Sequence, residues 1–190
     1  MKIKYLGHAC FKVTSNDYSI IIDPYVGING FDDINDSANE VICSHGHADH
    51  AYVDGIRIIE GNSPFINEKI ACFHDDANGS KRGKNDINIL TCEDKRIVHL
   101  GDLGHMLDKE ALDKLKGCDV LMIPVGGFYT IDGNEAVKLI EEINPKYVIP
   151  MHYKDGDLNM DVIADINEFL TIYHKDNLLL VRGYNKEMEL

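Results

Sequence analysis

The amino-acid sequence predicts a layered α/β domain, and two observations lead to that prediction. Short β-branched and apolar runs dominate the first half of the chain, and apolar runs alternate with helical patterns in the second half. A length of 190 residues is enough for one domain with a sizeable core and a little short for two. Since no domain boundary is recognisable, we predict a single domain over residues 1–190.

Strand signals fill the first half, and turn signals such as Ser15-Asn16-Asp17 and Glu93-Asp94-Lys95 separate them. The polar and acidic stretch 29–39 and the glycine-bearing stretch 78–85 are predicted to be loops. The predicted strands of this half are residues 3–6, 11–13, 19–22, 40–43, 57–60, 70–73, 87–91 and 96–100.

Three segments of the second half show helical periodicity. Gly117 stops the first, and Asn144-Pro145 stops the second, because the residue before a proline disfavours helical backbone. The predicted helices are residues 108–116, 133–143 and 160–173, and the strands that alternate with them are 120–123, 147–149 and 178–181.

The charge balance excludes some classes of partner. The chain has 19 Lys and Arg against 32 Asp and Glu, which gives a formal net charge of −13. A surface that acidic repels polyanions, so nucleic acid and anionic membranes are poor candidate partners. A small anionic substrate remains possible, because a bound metal ion can dominate the field in its immediate surroundings.

The cysteines and the lack of targeting signals favour a cytoplasmic location. The five cysteines are scattered and form no Cys-x-x-Cys pair, so we expect reduced, mostly buried thiols. The N-terminal apolar run is too short and interrupted for a signal peptide, and no stretch of 18 apolar residues could span a membrane. The sequence leaves the oligomeric state open.

The segment His45-Gly46-His47-Ala48-Asp49-His50 carries the strongest chemical signal. It follows a predicted strand, and in an extended chain residues two apart point the same way, so His45 and His47 can bind one ion together. Asp49 and His50 come as the chain turns and can face a second ion beside the first. Imidazole and carboxylate suit Zn²⁺, and also Mn²⁺ or Fe²⁺. The alternative is a polar turn with incidental histidines.

Four further motifs accompany this segment, namely Leu6-Gly7-His8-Ala9-Cys10-Phe11, Ile20-Ile21-Ile22-Asp23-Pro24, His99-Leu100-Gly101-Asp102 and Pro150-Met151-His152-Tyr153. With the central His-x-His-x-Asp-His motif, they make the chain resemble the metallo-β-lactamase superfamily. The resemblance is to its branch of small metal-dependent hydrolases, which includes the ascorbate-6-phosphate lactonase-like proteins. It covers nearly the whole chain and implies a four-layer αβ/βα sandwich, in which two sheets lie between helices.

The resemblance also implies a set of metal ligands and their roles. By that resemblance the first ion would be bound by His45, His47 and His74, the second by Asp49, His50 and His152, and both by a bridging Asp102. His74 is the best candidate for the third histidine because it ends a predicted strand, although His74 and His152 could each be surface histidines instead. Asp49 and Asp102 would serve catalysis as well as binding, with Asp102 orienting the attacking hydroxide.

Other histidines and one aspartate have less definite roles. For Asp23 we favour hydrogen bonding to backbone and to a ligand imidazole over direct coordination. His8 and His105 each follow a glycine in a motif-like loop, and either could line the cleft as a catalytic residue or be a hydrogen-bonded structural histidine. His99 lies in an apolar strand and is expected in the core, and His174 is expected at the surface after a helix.

Two loops are candidates for the walls of the cleft. The loop after His74 carries Lys81, Arg82 and Lys84, which could be solvated or could bind a phosphate or carboxylate of the substrate. The loop at residues 126–130 follows a predicted strand and could form another wall.

These features predict a hydrolase that uses a hydroxide bridging two divalent metal ions, with zinc as the first expectation and manganese or iron as alternatives. The substrate would be a small molecule, and an ester, lactone, amide, thioester or phosphodiester bond all remain open, because one fold hosts many chemistries.

Three alternatives remain open. A nuclease of the same superfamily is disfavoured by the acidic surface. A diiron redox protein of this fold is disfavoured because that branch usually has a carboxylate where this chain has His47. The third alternative is a metal-binding protein without turnover.

Overall fold

The computed structural model describes residues 1–179, 182 and 184–190, and the elements below are those found in these residues. The strands are β1 (Lys2–Gly7), β2 (Cys10–Ser15), β3 (Tyr18–Ile22), β4 (Asp36–Ala38), β5 (Glu40–Ile42), β6 (Ile56–Ile58), β7 (Ile66–Phe73), β8 (Lys84–Cys92), β9 (Lys95–His99), β10 (Val120–Pro124), β11 (Tyr147–Met151) and β12 (Lys186–Glu189). The helices are α1 (Lys109–Leu115), α2 (Gly133–Ile143) and α3 (Ile166–Ile172).

The strands form two larger sheets and one small one. The first sheet has the order β12-β1-β2-β3-β5, the second has the order β11-β10-β9-β8-β7, and β4 pairs with β6. In the first sheet β1, β3 and β5 run in one direction, because β2 is antiparallel to β1 and β3 while β5 is parallel to β3. In the second sheet β8 is antiparallel to β7 and β9, and β10 is parallel to β9 and β11. β7, β9, β10 and β11 therefore share a direction.

The shared strand directions decide where the functional residues go. Carboxyl ends of strands that share a direction lie at one edge of their sheet. The residues that follow β1, β3 and β5 therefore meet at one edge of the first sheet. Those that follow β7, β9, β10 and β11 meet at one edge of the second sheet.

The main core lies between the two larger sheets and extends to the helices. Side chains alternate between the two faces of a strand, and β3 shows this directly. Ile20 and Ile22 belong to the main core, whereas Ile21 packs on the other face with residues of the 25–38 segment and with Ile56. A smaller apolar cluster, made by this segment and by β6, thus covers the outer face of the first sheet.

Helix α2 shows how the sequence sets the boundaries of a helix. Asp132 accepts a hydrogen bond from the backbone N–H of Glu135, and the Glu135 side chain accepts one from the backbone N–H of Asp132, which completes a capping box. Asn144 ends the helix in the left-handed conformation, with φ of 50°. The apolar face packs against β10, and α2 also contacts α1 and α3.

Most of the predicted elements are present, with differences at their boundaries. The helix predicted over 160–173 begins only at Ile166, because the Asp165 side chain caps the N–H of Asn167. The residues before it form a turn, in which Ile163 donates to the carbonyl of Met160, and Ala164 then donates to the carbonyl of Gly126. The strand predicted at 57–60 is the shorter β6, and β8 begins within the stretch predicted to be a loop at 78–85.

Two strands were not predicted, and one prediction is only partly testable. β4 has three residues and lies in a stretch predicted to be a loop, and β12 is a charged edge strand without apolar alternation. Of the strand predicted at 178–181, Leu178 forms a parallel bridge with Val148, while residues 180 and 181 lie outside the described residues.

The expectation of free, mostly buried cysteines agrees with the structure. All five are unpaired, and only Cys43 is partly exposed. Within the described part of the chain, no helix has the length and apolar character needed to cross a membrane.

The capping box of α2 leads to a stability prediction. Asp132→Ala removes a hydrogen bond to the first turn, and we expect it to lower the free energy of unfolding by about 1 kcal/mol. Glu142→Ala, on the exposed face of the same helix, should change that free energy by less than about 0.5 kcal/mol. Urea unfolding of both variants measures the difference, and equal effects would contradict the role of the cap.

Candidate metal centre

The two sheet edges bring three histidines together, and we call this group the first cluster. His45 and His47 come shortly after β5, and His74 directly follows β7, so the cluster draws on both larger sheets. One ring nitrogen from each histidine lies within 4.8 Å of the other two. The ring centres of His45 and His74 are 4.8 Å apart. These are the three histidines that the family resemblance assigned to the first ion.

A second cluster lies beside the first and consists of His8, Asp49, His50 and His152. One nitrogen or oxygen atom from each residue lies within 4.8 Å of the others. The three histidines are fully buried, and the side chain of Asp49 is 25% exposed. His8 follows β1 and His152 follows β11, and the N–H of His152 donates to the carbonyl of His8 at 2.9 Å. This hydrogen bond joins the ends of strands from opposite sheets.

Asp102 lies between the two clusters. It follows β9 by three positions, and its carboxylate is buried. Its Oδ1 is 3.2 Å from Nε2 of His50, and its Oδ2 is 3.1 Å from Nε2 of His74 and 3.2 Å from Nε2 of His152. One carboxylate thus approaches imidazoles of both clusters, which is the arrangement that a bridging ligand requires.

The buried carboxylate of Asp23 fixes the protonation of two imidazoles. Its Oδ1 accepts the backbone N–H of Ser44 at 2.7 Å, and its Oδ2 accepts the Ser44 hydroxyl at 2.6 Å and Nδ1–H of His50 at 2.9 Å. Since the Ser44 hydroxyl has only one proton to donate, it accepts Nδ1–H of His45 at 2.9 Å. His45 and His50 are therefore left with the Nε2 lone pair free for a metal ion.

Hydrogen bonds also position His74 and Asp102. Nδ1–H of His74 donates to the carbonyl oxygen of Tyr129 at 3.2 Å, which again leaves Nε2 free. The backbone N–H of Asp102 donates to Oδ1 of Asn85 at 2.9 Å. Gly101, before Asp102, has φ of 56°, and a Cβ there would overlap Ser44 and Asn85, so this turn requires glycine.

The two clusters pass a test of their fit to metal ions. In the described part of the chain, seven buried side-chain nitrogen or oxygen atoms lack a hydrogen-bond partner, and six belong to the clusters or to Asp102. Those six are Nε2 of His8, His45 and His50, Oδ1 of Asp102, and both ring nitrogens of His152. Buried polar atoms are normally satisfied, so this concentration of unsatisfied atoms on five side chains fits the binding of a cation. Imidazole and carboxylate donors suit zinc, manganese or iron.

The electrostatics of the site agree with cation binding. Burial lowers the pKa of His8 and of His45 to about 4, so both imidazoles are neutral donors near neutral pH. Burial alone would lower the pKa of His50, but the carboxylates of Asp102 and Asp23 raise it well above the usual value. Burial alone would raise the pKa of Asp102, but His152 and His50 hold it well below its usual range. The buried carboxylates thus require positive charge beside them, which a metal ion can supply.

Three residues of the site have strained backbone. His8, Asp23 and His152 adopt the left-handed conformation with φ of 54°, 49° and 53°. Non-glycine residues adopt this conformation at a cost, and such outliers are frequent at functional sites. All three directly follow strands, so the strained residue turns the chain where its side chain must face the site.

A cavity of about 390 Å³ opens onto the first cluster. It is lined by His47, Asp49, His74, Asp102, Lys81, Arg82, Tyr129 and Met160. Lys84 of the predicted cationic clamp is not among these residues, because it belongs to the exposed start of β8. Tyr129 belongs to the 126–130 loop, which contributes a wall of the cavity.

Three other histidines lie outside the clusters. His105, a candidate catalytic residue, accepts the backbone N–H of Phe73 at 3.2 Å and faces a separate cavity with Ile70 and Cys72. It does not line the cavity at the clusters, so its contacts are those of a structural histidine. His99 is buried in the core and His174 is exposed, both as predicted.

Some contributions to the site had no usable signal in the sequence. Ser44 orients its neighbour His45 because its own hydroxyl donates to Asp23, which is 21 positions away, and Asn85 accepts the N–H of Asp102 across 17 positions. Tyr129 acts on His74 through a carbonyl oxygen, which every residue possesses. His8 carried a signal, since it follows a glycine at a strand end, but the residues alone did not place it beside Asp49.

Comparisons with known proteins place the chain in a family. The model of the family described as "Beta-lactamase superfamily domain" matches residues 2–152. A UPF0173 metal-dependent hydrolase of Carboxydothermus hydrogenoformans is 28% identical over 208 aligned positions, which cover 89% of this chain and 90% of the relative. The UPF0173 metal-dependent hydrolase MJ1163 of Methanocaldococcus jannaschii is 29% identical, with 88% of this chain and 90% of the relative covered.

A solved structure of a metallo-beta-lactamase superfamily protein is also similar to this chain. A candidate Zn-dependent hydrolase of the metallo-beta-lactamase superfamily from Thermotoga maritima is 31% identical and superposes with a TM-score of 0.71. The match covers 92% of this chain and 86% of that protein. The predicted metallo-β-lactamase fold is therefore confirmed. The family model matches most of the chain, including the whole segment from His8 to His152 that holds both clusters. The chain therefore belongs to the beta-lactamase superfamily.

Proposed function

We propose that this protein is a metal-dependent hydrolase that uses two divalent metal ions, with zinc as the first expectation, to cleave an ester, lactone or phosphodiester-type bond in a small molecule. The observation that carries the proposal is the convergence of six unsatisfied buried donor atoms on one place beside an open cavity. Relatives named metal-dependent hydrolases support the reaction class.

The residues divide between two ions as follows. His45, His47 and His74 would hold the first, Asp49, His50 and His152 the second, and Asp102 both. When bound, two divalent ions would supply an activated water at neutral pH and would polarise the bond to be cleaved. The protein's part is to keep Asp102 ionised and to turn Nε2 of the imidazoles toward the ions, and the hydrogen bonds of Asp23 and Ser44 achieve this orientation for His45 and His50 by engaging Nδ1.

Substrate access is through the cavity, and one cation there favours an anionic substrate. Of the three cations of the loop, Lys81 is bonded to Asp76 at 2.6 Å, and Lys84 lies on β8 outside the cavity. The guanidinium carbon of Arg82 lies 5.3 Å from the centre of the Tyr129 ring, on the cavity wall. Within the described residues no carboxylate pairs with Arg82, so its guanidinium is free to bind a phosphate or carboxylate.

The loop that carries Arg82 is organised by a single side chain. The carboxylate of Asp75 accepts backbone N–H groups from Ala77, Gly79, Lys81 and Arg82 at 2.8 to 3.1 Å. Burial alone would raise the pKa of Asp75, but these four backbone hydrogen bonds together lower it to about 2. Asp75 directly follows His74. One short segment therefore contains a proposed metal ligand and also the carboxylate that positions Arg82, the proposed anion-binding residue.

The alternatives differ from this proposal in ways that can be measured. A nuclease would need a basic surface, whereas this chain has a formal net charge of −13. A metal store without turnover would use the same ligands, and only a measurement of catalysis separates it from an enzyme.

Metal analysis combined with a hydrolysis screen tests the proposed function. We expect close to two equivalents of zinc or manganese in saturated protein, and metal-dependent hydrolysis of at least one phosphodiester, lactone or thioester. Elemental analysis after gel filtration gives the stoichiometry. One equivalent or less would contradict the paired site, and two equivalents without hydrolysis of any substrate would favour the metal store.

His152→Asn separates an enzyme from a store. Asparagine tolerates the left-handed backbone at this position, so the change removes the imidazole with little strain. We expect the first ion to remain bound, the second to bind at least tenfold more weakly, and turnover to fall at least a hundredfold with partial recovery in excess metal. The control is His174→Asn, which removes an exposed imidazole. Full turnover with one ion bound would contradict a two-metal mechanism.

Arg82→Gln tests the class of substrate. We expect KM for an anionic substrate to rise about tenfold, since a partly exposed charge-assisted hydrogen bond contributes about 1.4 kcal/mol, while a neutral analogue is unaffected. Lys84→Gln is the matched control, because it removes the same charge from the same loop region outside the cavity. Equal effects of the two variants, or equal effects on the two substrates, would indicate that Arg82 is solvated and does not bind the anionic group of the substrate.

A further inference from the structure

His8 occupies a position in the second cluster that the family resemblance did not assign to it. It ends β1 in the left-handed conformation, and its carbonyl accepts hydrogen bonds from the N–H of His152 at 2.9 Å and the hydroxyl of Tyr5 at 3.0 Å. Its ring centre is 4.4 Å from that of His152 and 5.0 Å from that of His50. The backbone therefore places the fully buried imidazole among the residues of the second cluster.

The proton of His8 can be located from its neighbour. Oδ1 of Asn159 lies 3.0 Å from Nδ1 of His8. The orientation of the Asn159 amide is fixed twice, because its Nδ2 donates to the carbonyl of Tyr153 at 2.9 Å and its Oδ1 accepts the N–H of Met160 at 3.0 Å. A flipped amide would oppose two donors on one side and two acceptors on the other. Nδ1 of His8 therefore carries the proton, and Nε2 has a lone pair.

That lone pair faces the carboxylate of Asp49, whose side chain is 25% exposed on the cavity wall. Nε2 of His8 lies 3.7 Å from Oδ2 of Asp49 and is a buried atom without a hydrogen-bond partner. A lone pair and a carboxylate oxygen that face each other in this way repel each other unless a cation lies between them. Two donors at about 2.1 Å from one ion can be at most about 4.2 Å apart, and the distance of 3.7 Å satisfies this limit.

A purely structural histidine looks different in this protein. His99 is equally buried, but its Nε2 is bonded to the carbonyl of Ala9 at 2.9 Å and its Nδ1 accepts the N–H of Gly101 at 3.1 Å. Both of its ring nitrogens are satisfied by backbone. In His8 only the nitrogen remote from Asp49 is satisfied, so the other is available for a ligand.

We propose that His8 is a ligand of the second metal ion through Nε2, together with Asp49, His50, His152 and the bridging Asp102. The proposal rests on the proposed function for the presence of that ion. Asn159 is then a positioning residue that holds Nδ1–H of His8.

The consequence is that the two ions have unequal environments. The first has three imidazoles and one shared carboxylate, four protein donors, which suits tetrahedral zinc. The second has five protein donors, which favours an ion of higher coordination number such as Mn²⁺ or Fe²⁺. The second site is thus expected to discriminate less in favour of zinc than the first.

His8→Asn tests the proposal by metal binding rather than by activity. Asparagine suits the left-handed backbone, but its shorter side chain withdraws the donor from the site. Equilibrium dialysis with Mn²⁺ and with Zn²⁺ should show an unchanged first ion and at least tenfold weaker binding of the second, with His174→Asn behaving as wild type. Wild-type affinity for both ions in folded His8→Asn would overturn the role of His8 while leaving the two-ion proposal intact.

A measurement on the unaltered chain avoids any effect of the substitution on folding. In protein labelled with ¹⁵N at histidine and loaded with ¹¹³Cd²⁺, a coordinated nitrogen shows a scalar coupling to the metal. We expect this coupling at Nε2 of His8, His50 and His152. Couplings at His50 and His152 without one at His8 would contradict the proposal, and a protein that binds fewer than two cadmium ions would overturn the two-ion site itself.

Discussion

The buried carboxylate of Asp23 is the interaction on which the site depends. Its three hydrogen bonds join the end of β3 to Ser44 after β5 and to His50, and through Ser44 they reach His45. One side chain therefore sets the tautomers of a histidine in each cluster. A fully buried carboxylate is stable only because these donors and the neighbouring imidazoles compensate for its lost hydration.

Strand direction explains why residues so far apart in the chain come together in the two clusters. β1, β3 and β5 end at one edge of the first sheet, and β7, β9 and β11 end at one edge of the second. The main core between the sheets fixes the distance between those edges. His8, His74 and His152 directly follow strands, and the ligands from His45 to His50 lie in the loop after β5. The loops after His74 and after β10 shape the cavity.

Site residues that lie close together in the chain could be predicted from the sequence. Features that depend on contacts between distant segments could not. The central motif placed His45, His47, Asp49 and His50 because four donors fall within six residues after a strand. The sequence could not separate Arg82 from Lys84, since only the start of β8 turns one of them out of the cavity. It also missed β12, whose pairing with β1 depends on the partner rather than on its own charged residues.

The same features that suit the site to metal ions lower the free energy of unfolding of the protein without metal. Six unsatisfied buried atoms and three residues in left-handed backbone are held in place by the surrounding sheets. Ions bound at the proposed two-ion site would supply partners for these side chains and would be absent from the unfolded chain, so their binding free energy would add to the free energy of unfolding. The proposed function thus implies a link between metal binding and folding, and the backbone hydrogen bond between His8 and His152 joins the two sheets at that site.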